Sequence, residues 1–336
     1  MKILVTGGAG YIGTHTCVEL IQAHHQIVVV DNLSNSKYEA IRRVEKITDS
    51  SIPFYQEDVT NYEAMEKIFA KEKFDGIIHF AGLKCVPESV KVPLDYYQNN
   101  IDGTLVLLKL MKKFKVRNFV FSSSATVYGD PKILPIPEDA PLSATNPYGR
   151  TKLFIEYILK DLYQSDSFFN IAILRYFNPI GAHPSGLIGE DPNGIPNNLV
   201  PYVTQVAIKK LPYLKVNGND YPTKDGTGVR DYIHVCDLAR GHVLALEKLT
   251  TNCGLVIYNL GTGTGYSVLE IVDAFSKVVG FEIPYQIAPR RPGDIATCYA
   301  DPKKAYEELH FKTHYDLKAM AKDAWNWQKK NPNGYE

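Results

Sequence analysis

The chain has 336 residues, with 37 basic and 37 acidic side chains and a formal net charge of zero. That length is enough for two lobes around a large core. The charge balance argues against a broad nucleic-acid footprint, while leaving room for a local basic pocket. Five scattered cysteines (Cys17, Cys85, Cys236, Cys253 and Cys298) lack metal-ligand spacing. They read as reduced thiols of a cytoplasmic protein, and no metal is expected. No apolar run approaches the roughly 18 residues of a membrane span. An apolar strand that begins almost at Met1 argues against a secretory leader.

In chain order, short apolar runs at Ile3–Val5, Ile27–Val30, Pro53–Tyr55, Ile77–Phe80, Phe119–Phe121 and Ile171–Tyr176 predict strands. Helical patterns fall between them, at Ile12–Ala23, Asn61–Ala70, Leu94–Lys113 and Pro147–Leu162. The alternation predicts an α/β fold: a Rossmann-like, doubly wound parallel sheet over residues 1–178. Pro179–Pro201 and Asn217–Gly228 are rich in Gly, Pro and Asn and read as ordered loops over a site. Asp237–Leu249 and Val256–Leu260 read as a helix and a buried strand, so residues 232–262 are expected to return to the sheet. Helices are predicted at Val268–Val278, Lys303–Leu309 and Leu317–Gln328. Residues 179–336 are otherwise expected to form a smaller α/β substrate-binding domain.

The first strand runs into Gly7, Gly10 and Gly13, and a helical pattern follows. Glycines let the backbone turn sharply and approach a pyrophosphate, and the helix N-terminus offers free N–H groups to it. Asp31 ends the next strand. Its carboxylate can accept from both hydroxyls of an adenosine ribose and repels a 2′-phosphate, which favours NAD over NADP. In such a sheet, ligands sit beyond the carboxyl ends of the strands. There stand Asp58-Val59, where the carboxylate serves either an adenine amino group or a helix cap. There too stand Ala81-Gly82-Leu83-Lys84, whose small residues let a cofactor pass and whose lysine can reach it. Asn99 lies on the helix that follows.

After Phe119–Phe121 come Ser122, Ser123 and Ser124, and then Asn146-Pro147-Tyr148-Gly149-Arg150-Thr151-Lys152. Asn146 is suited to an N-cap and Pro147 to the first helical position. Tyr148 and Lys152 then share one helix face at i and i+4. An ammonium beside a phenol favours the phenolate, which makes Tyr148 a candidate general base.

Gly7-x-x-Gly10-x-x-Gly13, Asp31, Ser124, Tyr148 and Lys152 together resemble the extended short-chain dehydrogenase/reductase family. Longer blocks resemble its UDP-hexose 4-epimerases: Asp31–Ser36, His79–Lys84, Ser122–Gly129, Leu174–Pro179, Gly189–Pro192 with Gly194–Leu199, and Asp225–His234. The match runs from Lys2 to about Trp327. It implies reversible inversion at C4 of UDP-glucose and UDP-galactose through a 4-keto sugar, using tightly held NAD.

By this resemblance Tyr148 takes the 4-hydroxyl proton, Ser124 hydrogen-bonds the same oxygen or relays the proton, and Lys152 holds the cofactor ribose and tunes Tyr148. Tyr11, Ile12, Asn32, Asn35, Ser36, Phe80 and Ser122 join the cofactor site, and Tyr176, Phe177 and Pro179 flank the nicotinamide. Asn178, Asn198 and Leu199 line the uridine diphosphate site. Arg230 and Arg291 are candidates for the pyrophosphate, with Asp294 near the uridine ribose; Arg230-Asp231 as a simple ion pair is the plainer alternative.

The chain departs from the family at Asn217, where an aromatic residue often packs near the uracil. It also carries Cys298 where some members have a bulky tyrosine. A cysteine there either leaves room for an N-acetyl group or is simply a small buried residue. Ala125-Thr126 stand where a 4,6-dehydratase carries its Asp-Glu elimination pair. A uronate epimerase or decarboxylase matches the long blocks less well, and a non-catalytic NAD-sensing protein has no need of the Tyr–Lys pair. The resemblance further implies a homodimer through Leu94–Lys113 and Pro147–Leu162, and no nucleic-acid or membrane partner.

Overall fold

The computed structural model describes residues 1–291 and 293–336. The first half runs β1 (Lys2–Thr6), α1 (Tyr11–Gln22), β2 (Gln26–Val30), α2 (Tyr38–Thr48), β3 (Phe54–Tyr55), α3 (Tyr62–Glu72) and β4 (Gly76–His79). It continues with α4 (Val86–Lys91), α5 (Pro93–Tyr97), a π-helical turn (Gln98–Asp102), α6 (Gly103–Phe114) and β5 (Asn118–Ser124). A 3-10 turn (Ala125–Tyr128), α7 (Pro147–Ser165) and β6 (Asn170–Tyr176) complete it. Next come β7 (Asn178–Ile180), α8 (Leu199–Ala207), β8 (Leu214–Asn217), β9 (Val229–His234), α9 (Val235–Leu249) and β10 (Leu255–Leu260). The chain ends with β11 (Gly265–Ser267), α10 (Val268–Val279), β12 (Tyr285–Ala288), β13 (Thr297–Cys298), α11 (Lys303–Leu309) and α12 (Leu317–Lys330).

Seven parallel strands form the main sheet in the order β10-β6-β5-β4-β1-β2-β3. From β1 the chain winds first through β2 and β3, then back past β1 to β4, β5 and β6. This creates a topological switch point between β1 and β4. The central strands are buried on both faces, and their side chains alternate between them, whereas the edge strands β3 and β10 are partly exposed. Ile3, Val5, Val29, Ile78 and Leu174 pack against α1, α2 and α9, whereas Leu4, Val28, Ile77, Phe119 and Phe121 pack against α3, α6 and α7. A second core gathers Val203 and Val206 of α8, Ile271 and Phe275 of α10 and Met320 of α12 beside β8 and β9.

Several elements differ from the sequence expectation. The stretch predicted as one helix over Leu94–Lys113 is α5, the π turn and α6. There Asn100 is buried, and its side chain bonds outside the helix, so a local gain in hydrogen bonding replaces α-helical regularity. α2 is a helix the sequence expectation lacks: Ala40, Ile41 and Val44 are buried and Ile47 packs beside them, a single narrow apolar stripe on an otherwise polar segment. β9 carries Arg230 and Asp231 in a strand whose pattern is not apolar, and its existence depends on pairing with β7, β11 and β13. Pro179–Pro201, predicted as loop, contains β7 and the start of α8.

Candidate active site

The turn after β1 holds Gly7 at a φ of 70°. A Cβ on Gly7 would lie 2.6 Å from the Ala81 nitrogen, and one on Gly13 would lie 2.4 Å from the Gly7 oxygen. The spacing of these glycines is thus fixed by backbone packed on backbone across the switch point. Gly10 caps α1 without a side-chain bond, and the first turn holds no acid. The first N–H groups of α1, those of Tyr11, Ile12 and Gly13, have no helical carbonyl to reach and are donors for an anion.

Asp31 is buried at the end of β2. Its Oδ2 accepts from the Ala9 amide at 3.0 Å, and its Oδ1 from the Leu33 amide at 2.9 Å and the Ser36 hydroxyl at 2.8 Å. Next to it, Asn32 donates to Asp58 at 2.9 Å. Burial works against the Asp58 charge, but hydrogen bonds from Thr60 and Asn32 hold its carboxyl below the usual range. An anion-binding helix start with a fixed carboxylate at the end of the adjacent strand fits the phosphates and adenosine ribose of a dinucleotide.

Other positions expected at the cofactor have different immediate contacts. Val59 is buried against Gly103, so only its backbone faces outward. The Tyr11 phenol donates to the Gly181 carbonyl at 2.7 Å, Lys84 lies 3.5 Å from Glu190, and Asn35 is exposed. Ile12 packs against the core, and the Phe80 ring lies 4.8 Å from His242. Asn99 donates to Asn100 at 3.0 Å, and it is Asn100 that ties the loops together. Its side chain bonds both backbone groups of Leu83 and donates to Thr151 of α7 at 3.0 Å, behind Gly82.

The helix predicted around the Tyr–Lys pair forms as α7. Asn146 caps it by accepting from the Gly149 amide at 2.9 Å, and Pro147 opens it. Tyr148 reaches Ser124 beyond the end of β5, while the Lys152 ammonium donates to the Ser122 carbonyl at 2.7 Å. The Ser122 hydroxyl is hydrogen-bonded to the Tyr176 phenol. Burial pushes the Tyr148 phenol up to about 12, with Ser124 pulling it partway back. The expected lowering by Lys152 is absent here, because the ammonium lies 6.0 Å from the Tyr148 ring centre and is held by the strand.

In the second half, Asp231 is fully occupied by Thr262, Gly263 and Ala300. This leaves Arg230 with no carboxylate partner among the described residues, so a simple Arg230–Asp231 pair is ruled out. Arg291 and Asp294 pair with each other at 2.9 Å. Asn198 donates to Glu190 at 2.7 Å, and Leu199 packs into the second core. Asn178 is exposed at the start of β7, which also holds Pro179, and Asn217 ends β8. Cys298 is buried with Phe177 and pairs in register with Arg230. Burial raises its thiol to about 11.

A switch-point sheet with a helix-borne Tyr-x-x-x-Lys pair at the strand ends is the arrangement of an extended short-chain dehydrogenase/reductase. The family described as GDP-mannose 4,6 dehydratase matches residues 4–324. UDP-glucose 4-epimerase of Bacillus subtilis is 62% identical over 336 residues, covering 100% of this chain and 99% of that one. The crystal structure of UDP-glucose 4-epimerase from Bifidobacterium longum, in complex with NAD+ and UDP, superposes with a TM-score of 0.96. It is 54% identical and covers 99% of this chain and 100% of that one. The UDP-Glc/GlcNAc 4-epimerase of Campylobacter jejuni is 38% identical, with a TM-score of 0.85 over 98% of this chain and 99% of that one. The chain belongs to the NAD-dependent epimerase/dehydratase family and, within it, to the UDP-glucose 4-epimerases.

Sequence reasoning missed Asn100, Glu156, Arg175 and Glu190. A charge inside the apolar run Ile171–Tyr176 was the available signal for Arg175, since a buried guanidinium requires a partner.

Burial lowers the Lys152 pKa to about 8 from 10.5. The unfolded chain therefore binds more protons between those values, and Lys152 makes stability rise with pH across that window. NAD-free Lys152→Met protein is expected to exceed the parent in stability by about 1–3 kcal/mol at pH 7. The gap should close between pH 8 and 10.5. Denaturant titrations at several pH values measure it, and coincident curves at pH 7 contradict this account of Lys152.

Proposed function

We infer that this chain interconverts UDP-glucose and UDP-galactose by inverting C4 through a transient 4-keto sugar. The observation that carries the reading is Tyr148 beside Ser124 at the end of β5, with Lys152 one turn further along α7. The α1 N-terminus and Asp31 would hold NAD, which would supply a reversible hydride acceptor for C4 and so be regenerated at each turnover. Tyr148 takes the 4-hydroxyl proton and later gives it back, and Ser124 holds the same oxygen. In the ligand-free protein, burial keeps the proton on Tyr148. Positive charge brought against the phenol releases it, and Lys152 is the protein's own source of that charge.

Arg230, which donates to the Val229 carbonyl at 2.8 Å and has no carboxylate partner among the described residues, grips the pyrophosphate, joined by Arg291, while Asn178, Asn198, Leu199, Asn217 and Asp294 bound the nucleotide. Binding energy placed on the nucleotide leaves the hexose free to turn and present its other face. Ala125 and Thr126 after Ser124 supply no elimination pair, which weighs against a 4,6-dehydratase.

The cofactor unit is residues 1–178 with 232–262, and the remainder of 179–336 is the UDP-sugar unit. The five cysteines are all free, in keeping with a cytoplasmic setting. Among the described residues no helix is long and apolar enough to cross a membrane. The chain pairs as a homodimer: Val92, Leu94, Phe154 and Tyr157 are exposed apolar side chains on the neighbouring α4–α5 and α7 segments. Cys298 leaves room for an N-acetyl group and extends the substrate range to UDP-GlcNAc and UDP-GalNAc; the Campylobacter jejuni relative is a UDP-Glc/GlcNAc 4-epimerase.

Tyr148→Phe should lower kcat with UDP-galactose by at least about 100-fold in a coupled assay. A near-parent rate removes Tyr148 as the base. Cys298→Tyr should suppress N-acetylhexosamine turnover and spare UDP-galactose; a parent enzyme inactive on saturating UDP-GlcNAc refutes the wider range. Phe154→Glu should turn a dimer into a monomer in light scattering, and a parent that is itself monomeric disproves the interface.

A further inference from the structure

Ser122, Ser123 and Ser124 are consecutive on β5, so their side chains alternate between the two faces of the sheet. Ser122 and Ser124 serve Tyr176 and Tyr148. Ser123 faces the other way and donates to Glu156 Oε1 at 2.6 Å. Glu156 is completely buried, as is the side chain it meets, Arg175 of β6. Arg175 Nε donates to Oε1 at 2.9 Å and Nη2 to Oε2 at 2.6 Å, a two-pronged contact. The remaining guanidinium nitrogen donates to the Tyr128 phenol at 3.0 Å and the Glu138 carbonyl at 2.8 Å.

Tyr148, Lys152 and Glu156 stand at i, i+4 and i+8 on α7, one stripe along a single helix face. Each meets the sheet at its own level: Tyr148 at Ser124, Lys152 at the Ser122 carbonyl, Glu156 at Ser123 and Arg175. Apolar packing by Ile155 and Leu159 binds α7 to the sheet but is non-directional, and tolerates small slides and rotations. A bidentate guanidinium–carboxylate contact does not, since both prongs lengthen when either partner turns.

We propose that Ser123, Glu156 and Arg175 are positioning residues that fix the register of α7 on β5 and β6, and so set Tyr148 at Ser124 and Lys152 at the Ser122 carbonyl. All three are buried behind the site, and none is among the residues assigned to substrate or cofactor. The proposal rests on the epimerase reading, because its readout is turnover. Arg175→Lys keeps the charge but loses the fork. Ser123→Ala removes one hydroxyl and leaves the ion pair intact.

Both variants should be purified with their bound dinucleotide and assayed on UDP-galactose. We expect kcat to fall about ten-fold in Ser123→Ala and further in Arg175→Lys, with KM and dinucleotide content within about two-fold of the parent. A lowered melting temperature with parent kcat means a purely structural role and overturns the proposal. If Arg175→Lys does not fold, Ser123→Ala decides alone. An inactive parent overturns the functional reading and this proposal with it; an active parent matched by Ser123→Ala overturns this proposal only.

Discussion

The buried contact between Glu156 and Arg175 ties the catalytic helix to the sheet. Both side chains are almost wholly removed from water. Burial works against the Arg175 charge, and Glu156 outweighs it and holds the guanidinium protonated. Breaking such a pair by removing one partner leaves an unpaired buried charge, at a typical cost of about 3–5 kcal/mol. A well-packed apolar pair of similar volume can be equally stable, so stability does not explain it. What the pair adds is direction. It links α7, β5, β6 and the turn through Tyr128, the pieces that must agree for a phenol, a hydroxyl and an ammonium to meet.

The cofactor end obeys a different constraint. Gly7 and Gly13 are needed because backbone from β1, α1 and the loop after β4 meets within van der Waals range. That contact leaves the start of α1 open as an anion site, while Asp31 is held in place by Ala9, Leu33 and Ser36. Asn100 then ties the loop after β4 to α7 through Leu83 and Thr151. A displacement of the dinucleotide edge would therefore be felt by the helix that carries Tyr148. The second half adds Arg230, which has no carboxylate partner among the described residues because Asp231 is turned toward Thr262 and Gly263.

Much of this was legible in the residues. The period-two and near-period-four patterns, the glycine spacing, the Asn-Pro start of α7 and the i, i+4 Tyr–Lys pair are local signals, and local sterics and hydrogen bonding enforce them. β9 was not legible, because a strand bearing Arg230 and Asp231 is stabilised only by neighbours remote in sequence. Nor was the π turn, which exists because Asn100 finds partners 17 and 51 residues away.

The sequence by itself determined the class of sheet, the glycine turn after β1 and the shared helix face of Tyr148 and Lys152. Each follows from residues within one or two turns of one another. Only the tertiary structure decided that Ser123 meets Glu156, that Asp231 turns to Thr262 and Gly263 and not to Arg230, and that Lys152 is held by a strand carbonyl at 2.7 Å rather than against Tyr148. Those outcomes depend on which strands lie side by side and how deeply each group is buried, and burial is a property of the whole packed chain.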